Sequence, residues 1–300
     1  MANSIALAKE YQGILDEIYA SSAKTRILDN TSLIKPGTQA NEVLIPKITL
    51  QGLGNYSKSN GFVNGDVTLA WETLKLNYDR GRGFQVDNMD NLETIDQAFG
   101  VLAGEFIRTK VVPELDAIRM ATMAAKAANA ATPATLTKTT VVTAIHLGGK
   151  VMDDAEVPQE NRALFVTPEV YNFLREADAF ARNINIQTTG GINTNVDTFD
   201  GMPVIMVPQS RMYTVLTLYD GSTTGQEAGS YIKNASTGKD INFMIVHTPS
   251  VMGVVKHIAP RIFAPDTNQS ADAWKFQYRV YHDLLVPDNK TGGIYLHNKA

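Results

Sequence analysis

The chain has 300 residues, of which 44% are apolar and 19% charged, and its formal net charge at pH 7 is −4. This composition is typical of a globular protein with a sizeable core, and the negative balance argues against a dedicated nucleic-acid binder, which usually carries a basic surplus. The absence of cysteine excludes disulfides and thiolate metal sites, and the sequence has no run of about 18 apolar residues that would predict a transmembrane helix.

The first segment of the chain predicts an amphipathic arm. In MANSIALAKEYQGILDEIY the apolar residues Ile5, Ala8, Leu15 and Ile18 recur at helical spacing, and acidic residues interrupt what would be the apolar core of a signal peptide. Basic and acidic residues balance over 1–40, so no polybasic segment is available to neutralise phosphates. We therefore expect a short amphipathic helix and only weak contact with nucleic acid.

The next segment predicts a β-hairpin with a long tip. EVLIPKITL (42–50) has strand character, and Val67 and Trp71 belong to an alternating run that would form the return strand. The intervening residues 51–66 contain four glycines and two Asn-Gly pairs, which favour turns with positive φ. Past Thr73 the apolar positions change parity, which predicts a β-bulge and a bend in the strand.

The stretch LNYDRGRGFQVDNMDNLET (76–94) places two arginines and two glycines between this strand and a predicted helix. Arg80-Gly81-Arg82-Gly83 could in principle cradle a phosphate, but an isolated glycine pattern is weak evidence for such a site. We interpret these four residues as a turn at the end of a strand with charged flanks.

The longest helical pattern of the chain follows. Asp90 and Glu93 fit a capping box, and large apolar residues then repeat at steps of three and four, so a helix is predicted to begin near residue 91. The periodicity continues to about residue 128, while Pro113 removes one backbone donor and predicts a kink. Such a helix would span ~57 Å. A compact globule of this chain length is only about 50 Å across, so we expect a flat, elongated molecule.

The remaining pattern alternates helices and strands after a boundary at 127–140, which is poor in large apolar residues. In chain order we first predict a helix around 142–151, a strand at ALFVT, and a helix that is capped by Thr167, has Pro168 in its first turn and ends near Arg182. A buried strand at GMPVIMVP and a polar, glycine-rich excursion at 221–238 follow. The last predicted strand is DAWKFQYRVYHDLLV, with Trp274, Phe276, Tyr278 and Val280 on one face.

Patterns that would carry catalysis or bind metal are weak. The five histidines show no metal-ligand spacing, and no nucleophile-elbow motif is present. Gly148-Gly149-Lys150 lacks the earlier glycine and the following Ser or Thr of a phosphate-binding loop, and we interpret it as a helix interruption. The acid pairs Asp153-Asp154 and Asp87-Asp90 lie near predicted helix ends, where carboxylates favour capping roles. We expect no enzymatic activity, no cofactor and no metal.

Taken in order, these elements resemble the major capsid proteins of tailed bacteriophages, which have the Hong Kong 97-like fold. The segments that carry the resemblance are the hairpin with its tip, the return strand ending in LNYDRGRGFQVDNMDNLET, the long helix interrupted by VVPELD, VPQENRALFVTPEVYNFL, DGMPVIMVP and YRVYHDLLVPDNKTGGIYL. They cover nearly the whole chain.

The resemblance implies an α+β fold with a long spine helix, an extended β-hairpin loop, an N-terminal arm, and mixed axial and peripheral domains. It divides the chain into an arm (1–41), an extended loop (42–87), a peripheral domain with the spine helix (88–133), an axial domain (134–249), peripheral strands (250–287) and a C-terminal strand (288–300).

The function that the resemblance implies is assembly. The expected product is an icosahedral shell of pentamers and hexamers that encloses double-stranded DNA, located in the virion and, during assembly, in the host cytoplasm. Expected partners are other copies of the chain, a portal protein, weakly contacted DNA and a separate scaffolding protein, since Met1 directly precedes the arm; no membrane is expected. Two alternatives stay open: an encapsulin-type bacterial nanocompartment shell, which stores cargo enzymes in place of DNA, and an enzyme of unknown class.

The resemblance also places residues at subunit interfaces. Arg80 and Arg82 would lie where the extended loop rejoins the spine, and their planar guanidinium groups suit carboxylates on the same or an adjacent subunit. Lys58 at the tip invites comparison with relatives that form Lys-Asn crosslinks, but we interpret it as a solvated lysine. The predicted intersubunit contacts are Leu53, Tyr56, Lys58, Phe62, Trp71, Arg80 and Arg82.

Overall fold

The protein is described from a computed structural model. The residues that it describes are 23–29, 35–36, 42–59, 61–89, 97–177, 186–187, 191–192, 197–268 and 271–300. The predicted arm helix within 1–22, the capping box of Asp90 and Glu93, and the helix start near residue 91 lie outside these residues.

The first sheet contains the predicted hairpin. Its three strands are β1 (Lys35–Pro36), β2 (Glu42–Leu50) and β3 (Val67–Lys75), in the order β1-β2-β3. The antiparallel register of β2 and β3 runs without interruption from the pair Glu42 and Lys75 to the pair Leu50 and Val67. The hairpin prediction is therefore confirmed.

The β-bulge predicted past Thr73 is wrong. β3 ends at Lys75, and the next strand, β4 (Tyr78–Asp87), belongs to a different sheet. The parity of the apolar residues changes because the packing partners change: Leu76 packs with Val43 of β2 against residues of the second sheet.

The second sheet has three long antiparallel strands. β14 (Met252–Phe263), β15 (Ala273–Leu285) and β4 follow the order β14-β15-β4. On β15, Phe276, Tyr278 and Val280 are buried while Arg279 is exposed, which confirms the predicted alternation. The buried face packs against the long helix.

The long helix is continuous from 97 to 126 but is not uniform. It consists of α1 (Gln97–Phe106), a π-helical turn (Ile107–Val111) and α2 (Val112–Lys126), and we call these residues together the spine helix. Pro113 lies in the first turn of α2 and has no amide to donate one turn back. Within the π turn the Val112 N–H instead donates to the Ile107 carbonyl, five residues earlier. The long helix is thus confirmed over the described residues, with the irregularity just before Pro113.

The third sheet has six strands and contains both parallel and antiparallel pairs. In spatial order the strands are β5 (Asn129–Ala130), β16 (Ile294–Asn298), β13 (Ile241–His247), β6 (Arg162–Val166), β10 (Met202–Met206) and β9 (Thr198–Phe199). All five residues of β6 are buried, because both faces of the sheet are covered.

The two faces of this sheet have different partners. Helices α3 (Val141–Asp154) and α4 (Pro168–Glu176) cover one face, where Ile145 and Leu174 pack with Leu164. The end of the spine helix covers the other face, where Met120 packs with Phe165. Four short strands complete the described part: β7 (Ile186–Gln187), β8 (Gly191–Ile192), β11 (Leu216–Leu218) and β12 (Tyr231–Lys233).

The predictions for α4 are partly confirmed. Thr167 caps the helix by accepting a hydrogen bond from the Val170 N–H at 3.4 Å, and Pro168 lies in the first turn. The helix ends at Glu176, so the predicted end near Arg182 is wrong. Ala177 is extended and buried in the core beside α4, so the helix ends where this core contact begins.

The helix interruption predicted at Gly148-Gly149-Lys150 is also wrong, because all three residues lie within α3. A Cβ at Gly148 would lie 2.7 Å from the Tyr295 ring and 2.9 Å from Ile245 Cδ1. The glycine is present so that α3 can approach the sheet closely, and not to break the helix. The excursion predicted at 221–238 contains β12, which pairs with β11.

The strand pairing bears on domain organisation. β4 pairs with β15, and β16 pairs with β13, so residues far apart in sequence share each sheet. The predicted domain boundaries stay predictions. No helix in the described ranges is long and apolar enough to span a membrane.

Candidate assembly surfaces

The hairpin tip exposes large apolar side chains. Leu53 is fully exposed, and Phe62 and Tyr56 are 86% and 62% exposed. The Tyr56 and Phe62 rings contact each other, with centroids 4.9 Å apart, across a turn closed by reciprocal backbone hydrogen bonds between Ser57 and Gly61. The structure therefore brings two of the predicted contact residues together into one aromatic pair.

The apolar surface continues along the hairpin. Val67, Leu69 and Trp71 alternate along β3 and are all exposed, with Trp71 at 46%. Lys58 is exposed at the tip. Exposed apolar surface of this extent on one projecting element is typical of an interaction surface.

The base of the hairpin, by contrast, is fixed to the second sheet. Ile45 and Leu76 are buried there against Val254 and Leu285. Both the backbone N–H and the side-chain amide of Asn77 donate to Asp283 Oδ2 at 3.0 Å. Burial raises the pKa of the Asp283 carboxyl above its ordinary value. The hairpin thus projects from a buried, hydrogen-bonded base.

Arg80-Gly81-Arg82-Gly83 lies within β4, so the predicted turn is wrong. The strand continues through the glycines because Gly81 lies close to β15: a Cβ there would be 2.9 Å from the Tyr278 carbonyl oxygen. Arg80 Nε donates to Glu114 Oε1 at 2.6 Å, so the expected carboxylate partner lies in the same chain. This pairing leaves Arg80 unsuited to a phosphate.

Both arginines also contact the loop between β11 and β12. Arg80 Nη2 donates to the Tyr219 carbonyl at 2.8 Å, and Arg82 Nη2 donates to the Glu227 carbonyl at 2.9 Å. The side chains of β4 therefore connect the second sheet, the spine helix and this loop.

These three elements enclose an open cavity of about 510 Å³, which we call the spine cleft. Its floor is mostly apolar and comes from β4, β15 and the spine helix: Phe84, Leu102, Phe106, Leu115, Tyr278 and Val280. Its rim is charged, with Arg82, Glu105, Lys110 and Asp220. An apolar floor with a polar rim is the usual form of a protein-recognition site.

A buried polar cluster holds residues 24–29 against the spine helix. Asp116 is fully buried and accepts hydrogen bonds from the Thr25 hydroxyl at 2.6 Å and from Arg211 Nη1 at 2.9 Å. Arg119, also fully buried, donates to Asp29 Oδ1 at 2.5 Å and to the Thr25 carbonyl at 3.2 Å. Burial raises the pKa of Asp29 although Arg119 opposes that shift. We call these residues the arm clip.

The histidine of β15, His282, is almost fully buried. Burial lowers the pKa of His282 to about 3, with nearby Arg119 and Arg80 acting in the same direction, so the ring is neutral at pH 7. His282 stacks on Tyr78 at a centroid distance of 5.9 Å. Within the described ranges, no three His, Asp or Glu side chains are grouped so that they could hold a metal ion.

Solved structures of known proteins have a similar overall fold. The capsid structure of the cyanophage P-SCSP1u matches with a TM-score of 0.60 at 13% identity, over 88% of this chain and 85% of that chain. A chain from Gordonia phage Cozz matches with a TM-score of 0.60 at 14% identity, over 94% and 86%. The chain has a capsid-protein fold. The virus-like particle from Pyrococcus furiosus also matches, with a TM-score of 0.52 at 12% identity over 96% of this chain and 99% of that chain.

No protein-family model matches the sequence, and no curated protein matches it either. The capsid-protein fold nevertheless confirms the Hong Kong 97-like α+β prediction, with its spine helix and extended hairpin. At identities of 13% and 14%, the similarity shows the fold but assigns no role to any individual residue.

Within this capsid-protein fold, sequence reasoning missed the spine cleft and the arm clip. Glu114 follows Pro113 in an amphipathic pattern, and nothing local marks it as the partner of Arg80, 34 residues away. Likewise Asp116 and Thr25 are 91 residues apart. The one available signal was the presence of Asp116 and Arg119 among the apolar residues of a buried helix, since buried charges need partners.

Proposed function

We propose that the chain is the major capsid protein of a tailed double-stranded DNA bacteriophage and assembles into the pentamers and hexamers of an icosahedral shell. The observation that carries the proposal, beyond the fold, is the projecting hairpin. Its apolar residues Leu53, Tyr56, Phe62 and Trp71 are exposed on their own chain although its base is buried.

The physical argument is that this hairpin requires a neighbour. A two-stranded ribbon is marginal in water, and the outer edge of β3 has no partner strand among the described residues. Burial on another copy would remove apolar surface at roughly 25 cal/mol per Å² and give that edge hydrogen-bond partners. A contact between the hairpin of one copy and a different surface of the next is heterologous, and such contacts form rings when the rotation between successive copies closes.

The predicted contact residues divide into two groups in this proposal. Leu53, Tyr56, Lys58, Phe62 and Trp71 form the surface that a neighbouring subunit covers. Arg80 and Arg82 have partners in their own chain, and their contact with another subunit remains a prediction. We retain the division into arm, extended loop, peripheral and axial domains, with β4 linking the loop to the peripheral strands. The proposed location is the virion, with assembly in the host cytoplasm alongside scaffolding and portal proteins.

The test is a deletion of residues 52–65, with β2 and β3 joined by a two-residue turn. Because the base of the hairpin stays buried, we expect a soluble, folded subunit that forms no closed shells by negative-stain electron microscopy. A matched control, Ser57→Ala with Ser59→Ala, changes polar tip residues only and should assemble normally. Normal closed particles from the deletion variant would refute the role of the hairpin.

Limited proteolysis gives an independent measurement. Most residues of 51–59 and 61–66 are exposed, so little buried surface offsets the backbone entropy of ordering them, about 1 to 2 kcal/mol per residue. We expect cleavage there in unassembled chains and protection in assembled shells. Equal cleavage in both states would contradict burial of the tip on a neighbour.

A second candidate function is the shell of an encapsulin-type bacterial compartment. The match to the virus-like particle from Pyrococcus furiosus, over 96% of this chain, supports this second candidate function. The content of purified native particles distinguishes the two: genomic double-stranded DNA supports the bacteriophage capsid, and protein cargo without DNA supports the compartment.

A further inference from the structure

The loop between β11 and β12 forms one wall of the spine cleft, and two arginines of β4 hold it there. Arg80 Nη2 donates to the Tyr219 carbonyl at 2.8 Å, and both ends of the loop line the cleft. Arg82 Nη2 donates to the Glu227 carbonyl at 2.9 Å. The stretch Arg80-Gly81-Arg82-Gly83 therefore sets the position of a cleft wall.

Two glycines of this loop lie close to the Arg82 guanidinium. Gly221 and Gly229 have positive φ values of 77° and 65°. A Cβ at Gly221 would lie 2.7 Å from Arg82 Nη1, and a Cβ at Gly229 would lie 3.2 Å from the same nitrogen. Because the guanidinium occupies the space that these side chains would fill, the loop fits closely against Arg82.

The charges that line the cleft balance each other. The lining contains three cations and three acids, namely Arg80, Arg82, Lys110, Glu105, Glu114 and Asp220. Glu114 accepts from Arg80 Nε at 2.6 Å. Asp220 accepts from the Thr223 hydroxyl at 2.6 Å. With balanced charges above an apolar floor, the cleft fits an apolar occupant that carries no net charge.

The hairpin tip has this chemistry. Lys58 and Asp66 are the only charged residues in 51–66, and their charges have opposite signs. The Tyr56 and Phe62 rings lie together at a centroid distance of 4.9 Å and are 62% and 86% exposed. Paired aromatic side chains on a neutral segment are typical anchors for an apolar pocket at the centre of an interface.

The tip and the cleft of one chain do not fill each other. Both rings are exposed while the cleft of the same chain is open. The uninterrupted register of β2 and β3 carries the tip ~30 Å away from Lys75, whereas β4, which contributes to the cleft floor, begins at Tyr78. The tip that fits the cleft therefore comes from a second copy of the chain.

We propose that the spine cleft is the docking site for the hairpin tip of a second copy, with the Tyr56 and Phe62 rings on its apolar floor. Arg80 and Arg82 are positioning residues, because they hold the loop 219–230 as a wall of this site. The inference rests on the proposed assembly function and adds the surface that receives the hairpin. Since the tip and the cleft are different surfaces, each copy donates a tip to one neighbour and receives a tip from another.

Cysteine trapping in the full chain tests the docking, because the native chain has no cysteine. Ser59→Cys at the tip combined with Thr109→Cys, at a position that lines the cleft, should give a ladder of disulfide-linked chains beyond the dimer in non-reducing electrophoresis. The matched control combines Ser59→Cys with Ala125→Cys, at an exposed position on the same helix outside the cleft. We expect the ladder to form at least about tenfold faster with the cleft position, since docking raises the local concentration of the two thiols.

Removal of the rings tests what the cleft recognises. In the trapping variant, Tyr56→Ala with Phe62→Ala should slow formation of the ladder about 30-fold, as expected when buried aromatic anchors are lost from an interface. Ser57→Ala, at the same tip, should leave the rate unchanged.

The role of Arg82 in positioning the wall has a separate readout. Arg82→Ala should slow the ladder and also expose the loop 219–230 to protease in the unassembled chain, and Arg82→Lys, which keeps a charged donor, should restore both properties. Arg279→Ala, on β15 but facing away from the cleft, should change neither. If Arg82→Ala does not fold, judged by circular dichroism, Arg82→Gln replaces it and should show the same two effects.

Three results would overturn the inference: equal ladders with the cleft and control positions, a ladder that persists without both rings, or a Thr109→Cys thiol that a maleimide cannot label in the unassembled chain. The last result would show that another part of the same chain fills the cleft. Shells by electron microscopy without a cleft-specific ladder would refute the docking and leave the capsid function intact. A ladder without shells would support the docking and refute the capsid function, and the absence of both would refute both.

Discussion

The contact between α3 and the third sheet allows a prediction with an internal control. Gly148 and Gly149 are neighbours in the same helix, yet only Gly148 faces the sheet. A Cβ at Gly148 would lie 2.7 and 2.8 Å from two carbons of the Tyr295 ring and 2.9 Å from Ile245 Cδ1, whereas a Cβ at Gly149 would have nothing within 4 Å. Replacing either glycine with alanine gains about 1 kcal/mol of helix propensity.

The effects of the two substitutions on the free energy of unfolding should therefore differ in sign or in size. Gly148→Ala must also push apart a packed core, which costs about 1 to 3 kcal/mol, so its net effect should range from neutral to a loss of about 2 kcal/mol. Gly149→Ala should stabilise the protein by up to about 1 kcal/mol.

The measurement is urea unfolding of the unassembled variants side by side, followed by far-ultraviolet circular dichroism, with the two midpoints compared at equal slope. Equal midpoints for the two variants would refute the close approach of α3 to the sheet. A more stable Gly148→Ala variant would refute it as well.

Three further predictions concern the spine helix and its contacts. Asp116→Asn leaves the mostly buried Arg211 without its carboxylate and should cost about 3 to 5 kcal/mol in thermal unfolding, while Glu105→Gln, at an exposed pair on the same helix, should cost under about 1 kcal/mol; equal losses would contradict the arm clip. His282 has its pKa lowered to about 3 from 6.5, so below pH 6.5 the unfolded chain binds a proton that the folded chain does not. As the pH is lowered from 6.5 towards about 3, the contribution of this group to the free energy of unfolding should therefore fall by about 1.4 kcal/mol per pH unit. His282→Gln should flatten this dependence on pH. An unchanged slope would show that His282 is accessible to protons. Pro113→Ala restores a backbone donor and should return Ile107–Val111 to α-helical hydrogen bonding, giving particles of altered or mixed size by electron microscopy; uniform, unchanged particles would mean that this irregularity has no role in shell curvature.

Patterns confined to one element were predictable from the sequence. The alternation of Phe276, Tyr278 and Val280 on β15, the Thr167 cap of α4 and the long apolar period of the spine helix each depend on neighbours a few residues away. Strand and helix periods are local geometry, so a linear sequence contains them. The order of such elements was also enough to indicate the capsid-protein fold, which the solved structures confirm.

Features that depend on contacts across the chain were decided only by the tertiary structure. Glycines 81 and 148 predicted a turn and a helix break, yet they lie inside β4 and α3 because a backbone or a ring from another element occupies the space of their missing side chains. The parity change past Thr73 separates two sheets, and the C-terminal end of α4 is set by the core around Ala177. In the spine cleft Arg82 contacts Glu227, 145 residues away, and in the arm clip Thr25 contacts Asp116, 91 residues away. Local propensity contributes under about 1 kcal/mol per residue, whereas packing and buried charge pairs contribute several times more, so the three-dimensional partners decide wherever the two conflict.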